Sequence, residues 1–176
     1  FVNETNCFTP LRWLHSCNPI LSALITETIG EGWVGDLEQL VALEPHVENP
    51  DWLARFAQVK ADNKADLSDW ITREHGLMLN PQAIFDVQIK RIHEYKRQHL
   101  NILEAIALWQ EIKDNPGAGW TPRVKIFGGK AAPGYFFAKD IIRLINDVAA
   151  VVNADAATNE FLQVIYLPNY NVTMAE

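Results

Sequence analysis

The chain has 176 residues, of which 48 % are hydrophobic and 21 % charged, and it carries a net charge of −7. That is enough chain to bury one good core, with the composition of a soluble globular protein. It excludes a helical membrane span, since no apolar run approaches the ~20 residues required, and its acidity argues against a general nucleic-acid surface.

Taken in order, the first 76 residues read as helices. Thr9-Pro10 is a helix-start signal, with Thr as cap and Pro at the first helical position. Asn18-Pro19 repeats it and opens a helix over 20–29, with Leu21, Leu24, Ile25 and Ile29 on one face and Gly30 closing it. Asp36 caps a short helix over 37–43 that ends near Pro45. Asn49-Pro50 caps a longer one, whose apolar face is Trp52, Leu53, Phe56, Val59, Leu67, Trp70 and Ile71 and whose end is Gly76. From Leu77 the pattern changes. Strands are expected over 84–89, 124–127 and 162–167. Helices are expected over 92–113, with Leu100, Leu103, Ile106, Leu108 and Ile112 inward, and over 135–153, with Phe137, Ile141, Leu144, Ile145, Val148 and Val152 inward. Asn115-Pro116-Gly117 stops the first of these. The result is βαβαβ at a spacing of about 39 residues, the size of a βα unit, with parallel strands and right-handed crossovers. The fold class is therefore α/β: a helical segment (1–76), then half of a Rossmann-like parallel sheet (77–176). The chain begins at Phe1 and stops at Glu176 in mid-pattern, which reads as a piece of a longer protein. Cys7 and Cys17 form neither a disulfide framework nor a metal-ligand spacing, which fits a reducing, cytoplasmic compartment.

Chemistry concentrates at 85–101, FDVQIKRIHEYKRQHLN. Phe85, Val87 and Ile89 alternate with Asp86 and Gln88, the period of a strand. Lys90, Arg91, Lys96 and Arg97 follow within ten residues, together with His93 and His99, and Glu94 is the only acid among them. Such a cluster in an acidic chain is a local device. A solvated helix face is the plain alternative, but solvated helices mix signs more evenly. The carboxyl ends of parallel strands lie on one edge, where ligands of open α/β sheets bind. The loops meeting there contain Lys90 and Arg91, then Gly128-Gly129-Lys130, then Asn169-Tyr170-Asn171. Cations and glycines beside a helix start suit a phosphate. GGKAAPG is neither a P-loop nor a dinucleotide fingerprint, and alone it reads equally well as a tight turn. His93 and His99 offer themselves as acid–base groups or, more plainly, as packing around a cationic turn. Glu94 is expected to orient a neighbouring cation.

KRIHEYKRQHLN at 90–101, GGKAAPGY at 128–135 and TPLRWLHSCNP at 9–19 closely resemble the α-glucan phosphorylases, which act on glycogen, starch or maltodextrin. The resemblance runs over essentially the whole chain. It implies a two-domain enzyme of the glycosyltransferase B type, with this chain at the start of the C-terminal domain. The implied reaction moves a terminal glucosyl unit of an α-1,4-glucan to inorganic phosphate, giving glucose 1-phosphate. The implied cofactor is pyridoxal phosphate, working through its 5′-phosphate. The resemblance assigns Lys90 to the cofactor phosphate, Arg91 to the substrate phosphate and Lys96 to both. It assigns Asn6 to the glucose 6-hydroxyl, Tyr170 to the cofactor ring with Val172 beside it, and Tyr135 to a purine-type inhibitor site. Arg91 and Lys96 are thus the expected catalytic residues. Departures are Cys7 where the family usually has Gly, Leu11 where it has Arg, and Asn171 where some relatives have Arg. The cofactor-linking lysine lies in a later segment of these enzymes, so the chain by itself is expected to be inactive. The whole enzyme is expected to be a homodimer, with allosteric control resting on N-terminal elements that the chain does not carry. No metal is expected, nor a nucleic-acid or membrane partner. Two rivals make other predictions. A non-catalytic phosphate or sugar-phosphate binding module would bind anions without turnover, and an RNA-binding helix would bind RNA with strong salt dependence.

Overall fold

A computed structural model describes residues 11–176. The chain divides into two compact units, one running to Leu67 together with Glu176 and the other comprising Ser68–Ala175. The division falls inside one long helix. The Thr9-Pro10 signal lies outside the described residues.

The first unit is helical throughout its described part. A π-helical turn covers Leu11–Ser16, helix α1 covers Pro19–Ile29, and 3₁₀ segments cover Glu31–Val34 and Leu37–His46. Helix α2, Pro50–His75, begins in this unit and continues into the second. The starts follow from short polar side chains taking up free helix N–H groups. Asn18 accepts from the Leu21 amide at 3.3 Å with Pro19 at the first helical position. Asn49 accepts from Asp51 at 3.0 Å and Trp52 at 3.3 Å. Asp36 accepts from Glu38 at 3.2 Å. Gly30 and Gly76 end α1 and α2 at φ 84° and 68°, a region that side chains disfavour. Trp33 has no exposed surface and donates its indole N–H to Thr26 at 3.0 Å. Trp52 donates to Thr28 at 2.9 Å, and Arg55 donates twice to Glu27, which ties α2 to α1. Leu53, expected on the apolar face, is exposed.

The second unit carries the sheet. Strands β1 (Ile84–Ile89), β2 (Arg123–Gly128) and β3 (Leu162–Leu167) lie parallel in the order β1-β2-β3. Helix α3 (Gln98–Asp114) connects the first pair, α4 (Phe136–Ala154) the second, and a short α5 (Val172–Ala175) follows β3. In register, Ile89, Gly128 and Leu167 finish the three strands side by side. The core joins Phe127, Leu162 and Val164 to Ile102, Ala105 and Ile112 of α3 and Ala138, Ile141, Ile145 and Val152 of α4. The other face of the sheet is buried at Val124, Ile126, Ile165 and Leu167. A central parallel strand covered on both faces reads as a nearly continuous apolar run, which β2 does after its first residue, Arg123, except at Lys125. No described helix is long and apolar enough to cross a membrane.

The α/β class, strand order and parallel direction agree with expectation, and two strands have the expected ends. Three local expectations do not hold. The helix expected over 92–113 begins only at Gln98. Residues Glu94–Lys96 form a 3₁₀ turn, and Arg97 at φ 59° and ψ 31° breaks the chain direction between them. The inward face of α3 is rotated accordingly. Leu100 and Leu103 are exposed, and Ile102 and Ala105 take the interior. In α4, Phe137 is exposed and Ala138 is buried in the core.

A cationic loop at the strand ends

The candidate site is built where β1 runs out. The Lys90 amide still pairs with the Gly128 carbonyl at 3.0 Å, and the Ile92 amide reaches the Lys130 carbonyl at 3.1 Å. The ladder thus continues past the strand ends and brings the segments 90–92 and 128–130 together. Gly129 is required for this. A Cβ on it would fall 2.2 Å from the Lys90 carbonyl oxygen, which is backbone and cannot turn aside. A Cβ on Gly128 would fall 3.7 Å from the Tyr170 Cβ, so the segment after β3 closes on the same place. The expected convergence of three loops is therefore present.

Ile92 is buried and anchors the loop in the core. Just before it Lys90 and Arg91 are exposed, and among the described residues no hydrogen bond or ion pair engages either side-chain head. The same holds for Lys130 and Arg97. Lys96 is different: its ammonium folds back to donate to the Arg91 carbonyl at 3.0 Å. Arg91 and Lys96 are thus brought together. Tyr170 is half-buried, and Val172 is exposed at the start of α5. Asn6 lies outside the described residues. The expected helix N-terminus is not adjacent to Lys90 and Arg91, because the 3₁₀ turn intervenes; the positive field here comes from side chains.

Glu94 does not orient a cation. It accepts the Tyr135 hydroxyl proton at 2.5 Å, while its own amide donates to that hydroxyl at 3.4 Å. The carboxylate holds the Tyr135 phenol above its ordinary pKa, because the bonded proton is harder to remove. The His93 ring lies against Tyr95 at 4.6 Å and Tyr135 at 5.1 Å, and the His99 ring meets Phe137 edge-on at 6.2 Å. Both histidines therefore pack on aromatic neighbours.

Sequence reasoning passed over the residues beneath the loop. Gln98 is wholly buried; it donates to the Arg91 carbonyl and accepts from the His93 amide, both at 3.3 Å. Gln88 donates to the Lys96 carbonyl at 2.9 Å. Lys125, only 2 % exposed, pairs with Asp86 and Glu104 on the face of the sheet that α3 covers. A lysine within an apolar strand is a signal in itself, since a buried ammonium requires acceptors. Nothing local marks Gln88 or Gln98. No group of acidic, histidine and cysteine side chains with metal-binding geometry occurs among the described residues.

Residues 1–176 match the family of carbohydrate phosphorylases. The chain is 51 % identical over its whole length to a glycogen phosphorylase of Synechocystis sp. (strain ATCC 27184 / PCC 6803 / Kazusa), covering 21 % of that protein. It is 49 % identical to the liver form of glycogen phosphorylase from Homo sapiens and 47 % identical to the muscle form from Ovis aries, again over all of this chain and 21 % of each relative. The chain spans about a fifth of the length of the curated relatives it matches.

Proposed function

The chain belongs to the carbohydrate phosphorylase family, and from that premise we propose that it is the phosphate-holding segment of an α-1,4-glucan phosphorylase. In this reading the whole protein passes a terminal glucosyl unit of glycogen, starch or maltodextrin to inorganic phosphate and releases glucose 1-phosphate. The observation that carries the reading is the loop at the end of β1. Lys90 and Arg91 extend from a backbone fixed by the 128–130 segment, with side-chain heads that no described residue engages, and Lys96 is folded against the Arg91 carbonyl.

The chemistry needs such an arrangement. A substrate phosphate beside a cofactor phosphate is a like-charge pair, and the departing sugar develops positive charge next to both. Fixed cations offset the repulsion and cost no reorganisation at the moment of reaction. Arg91 suits the substrate phosphate, because its planar fork donates two parallel hydrogen bonds to two oxygens. The unengaged ammonium of Lys90 suits a phosphate end of pyridoxal phosphate, and Lys96 is assigned to both anions by resemblance. Tyr170, close to Gly128, is assigned to the cofactor ring by resemblance, with Val172 beside it. When bound, the cofactor supplies a phosphate that gives and takes a proton beside the substrate phosphate. Asn6 is assigned to the glucose 6-hydroxyl by resemblance. The whole protein is read as a cytoplasmic homodimer.

The test is Arg91→Ala in the full-length protein. We expect kcat/KM for phosphate in maltoheptaose phosphorolysis to fall about 100-fold or more, the usual effect of removing a charge-assisted transition-state contact. Unchanged turnover would remove Arg91 from the mechanism.

A further inference from the structure

We propose that Gln88, Gln98 and Asn101 are positioning residues for the phosphate-holding loop, and that Lys125 sets the direction of Asn101 and Gln88 from inside the sheet. The inference rests on the functional reading of residues 90–96 given above.

The directions of the hydrogen bonds follow from the two ends of a relay. Lys125 has three N–H bonds on its ammonium and no lone pair. It donates to Asp86 at 2.9 Å, to Asn101 Oδ1 at 2.7 Å and to Glu104. The Asn101 oxygen therefore faces the ammonium, and its amide nitrogen faces away, donating to Gln88 Oε1 at 2.9 Å. Gln88 must then present its own nitrogen outward, where it meets the Lys96 carbonyl at 2.9 Å. A carbonyl only accepts, so both ends demand the same sense. Turning either amide over would set oxygen against oxygen, or N–H against the ammonium.

Gln98 forms a second clamp. Its nitrogen meets the Arg91 carbonyl and its oxygen the His93 amide. The Arg91 carbonyl also takes the Lys96 ammonium at 3.0 Å. The backbones of Arg91 and Lys96, the two residues assigned to the substrate phosphate, are thus held by side-chain amides rooted in β1 and α3. Phosphate contacts depend steeply on geometry, so a loop held at two points keeps its cations aligned without help from the ligand. The 3₁₀ turn lies between the two held points and the left-handed Arg97 directly follows the second, in a stretch with no regular ladder of its own.

A purely structural role and a positioning role separate in Asn101→Asp. A carboxylate there keeps an acceptor on Lys125 but is the third beside that ammonium, after Asp86 and Glu104, so the fold is expected to lose some stability. It has no N–H for Gln88, which must turn its nitrogen inward and set its oxygen against the Lys96 carbonyl. In the full-length protein we expect a lowered Tm, an unchanged KM for maltoheptaose, and a KM for phosphate raised about fivefold to tenfold, the effect of one or two hydrogen bonds; a purely structural loss would not single out phosphate. We also expect faster amide exchange at His93, Lys96 and Arg97. Gln88→Met, which removes the relay without adding charge, should show the same exchange and the same rise in phosphate KM. Unchanged phosphate KM and unchanged exchange in both variants would overturn the proposal while leaving wild-type phosphorolysis intact. If the wild-type protein releases no glucose 1-phosphate, the functional reading falls instead. The exchange comparison then decides the clamp alone: faster exchange at those three amides upholds it, and unaltered exchange overturns it.

Discussion

Gly128 and Gly129 are neighbours of the same type, yet a methyl group on each would meet different things. On Gly129 it would fall 2.2 Å from the Lys90 carbonyl oxygen; on Gly128 the nearest atom is the Ile89 Cγ2 methyl at 3.0 Å. The methyl needs to give by only a few tenths of an ångström, whereas the ladder carbonyl is fixed and far closer. Gly129→Ala should therefore cost about 1–3 kcal/mol, in the range of overpacking, and Gly128→Ala less. Urea unfolding of the two variants checks the order. A second residue-scale prediction concerns Asp155. Its carboxyl is held below the usual range by the Ala157 amide first and then by the Trp109 indole N–H, with Lys113 adding to both. A depressed folded pKa contributes stability that is present above the unfolded value and is lost as pH falls through the folded one. Asp155→Asn should lower Tm at neutral pH, and the difference from wild type should shrink on acidification. A gap independent of pH would show that the charge is not its source.

At the scale of elements, helix starts are local devices and behave as such. Asn49 accepts two amides at the beginning of α2, so Asn49→Ala should cost about 1 kcal/mol, read as a lower urea midpoint with an unchanged slope. The strands depend on more distant partners. In β1 the Phe85, Val87, Ile89 face alternates as its pattern requires, yet Val87 is 47 % exposed, and the polar Asp86 and Gln88 lie on the face that α3 covers. The reason is in β2. Lys125 sits on that face, and its ammonium needs the acceptors that Asp86, Asn101 and Glu104 supply. One charged residue in the central strand thus accounts for a polar layer where an apolar one would be the default.

At the scale of the whole molecule, the contrast is between a net charge of −7 and one cationic loop. An acidic chain does not attract anions at long range, so on the proposed function selection of phosphate comes from close contacts at the loop. The chain spans about a fifth of the relatives it matches, and by resemblance the lysine that links pyridoxal phosphate lies in a later segment of these enzymes. The 176-residue chain, purified alone, should release no glucose 1-phosphate from maltoheptaose and phosphate. Release of product would show that the described loop needs no partner segment.

Helix caps, glycine stops, the strands over 84–89 and 162–167 and the parallel βαβαβ order were legible in the sequence, because each is encoded by residues within a few positions of one another. The cationic cluster was legible too, as a density of charge along one short stretch. The site's assembly was not. That Gly129 lies under the Lys90 carbonyl, that Arg97 breaks the helix before Gln98, and that Gln88 reaches Lys96 while Asn101 reaches Lys125 depend on pairs up to 39 positions apart, and on one residue held left-handed by its surroundings. Burial was decided in the same way. Leu100 and Ile102 are equally apolar, and only the direction in which α3 leaves the turn puts the second in the core and the first in water. Hydrophobicity has no direction and a hydrogen bond does, so the chain could announce a core and a charge, while the tertiary structure alone decided which side chains met and which way each amide faced.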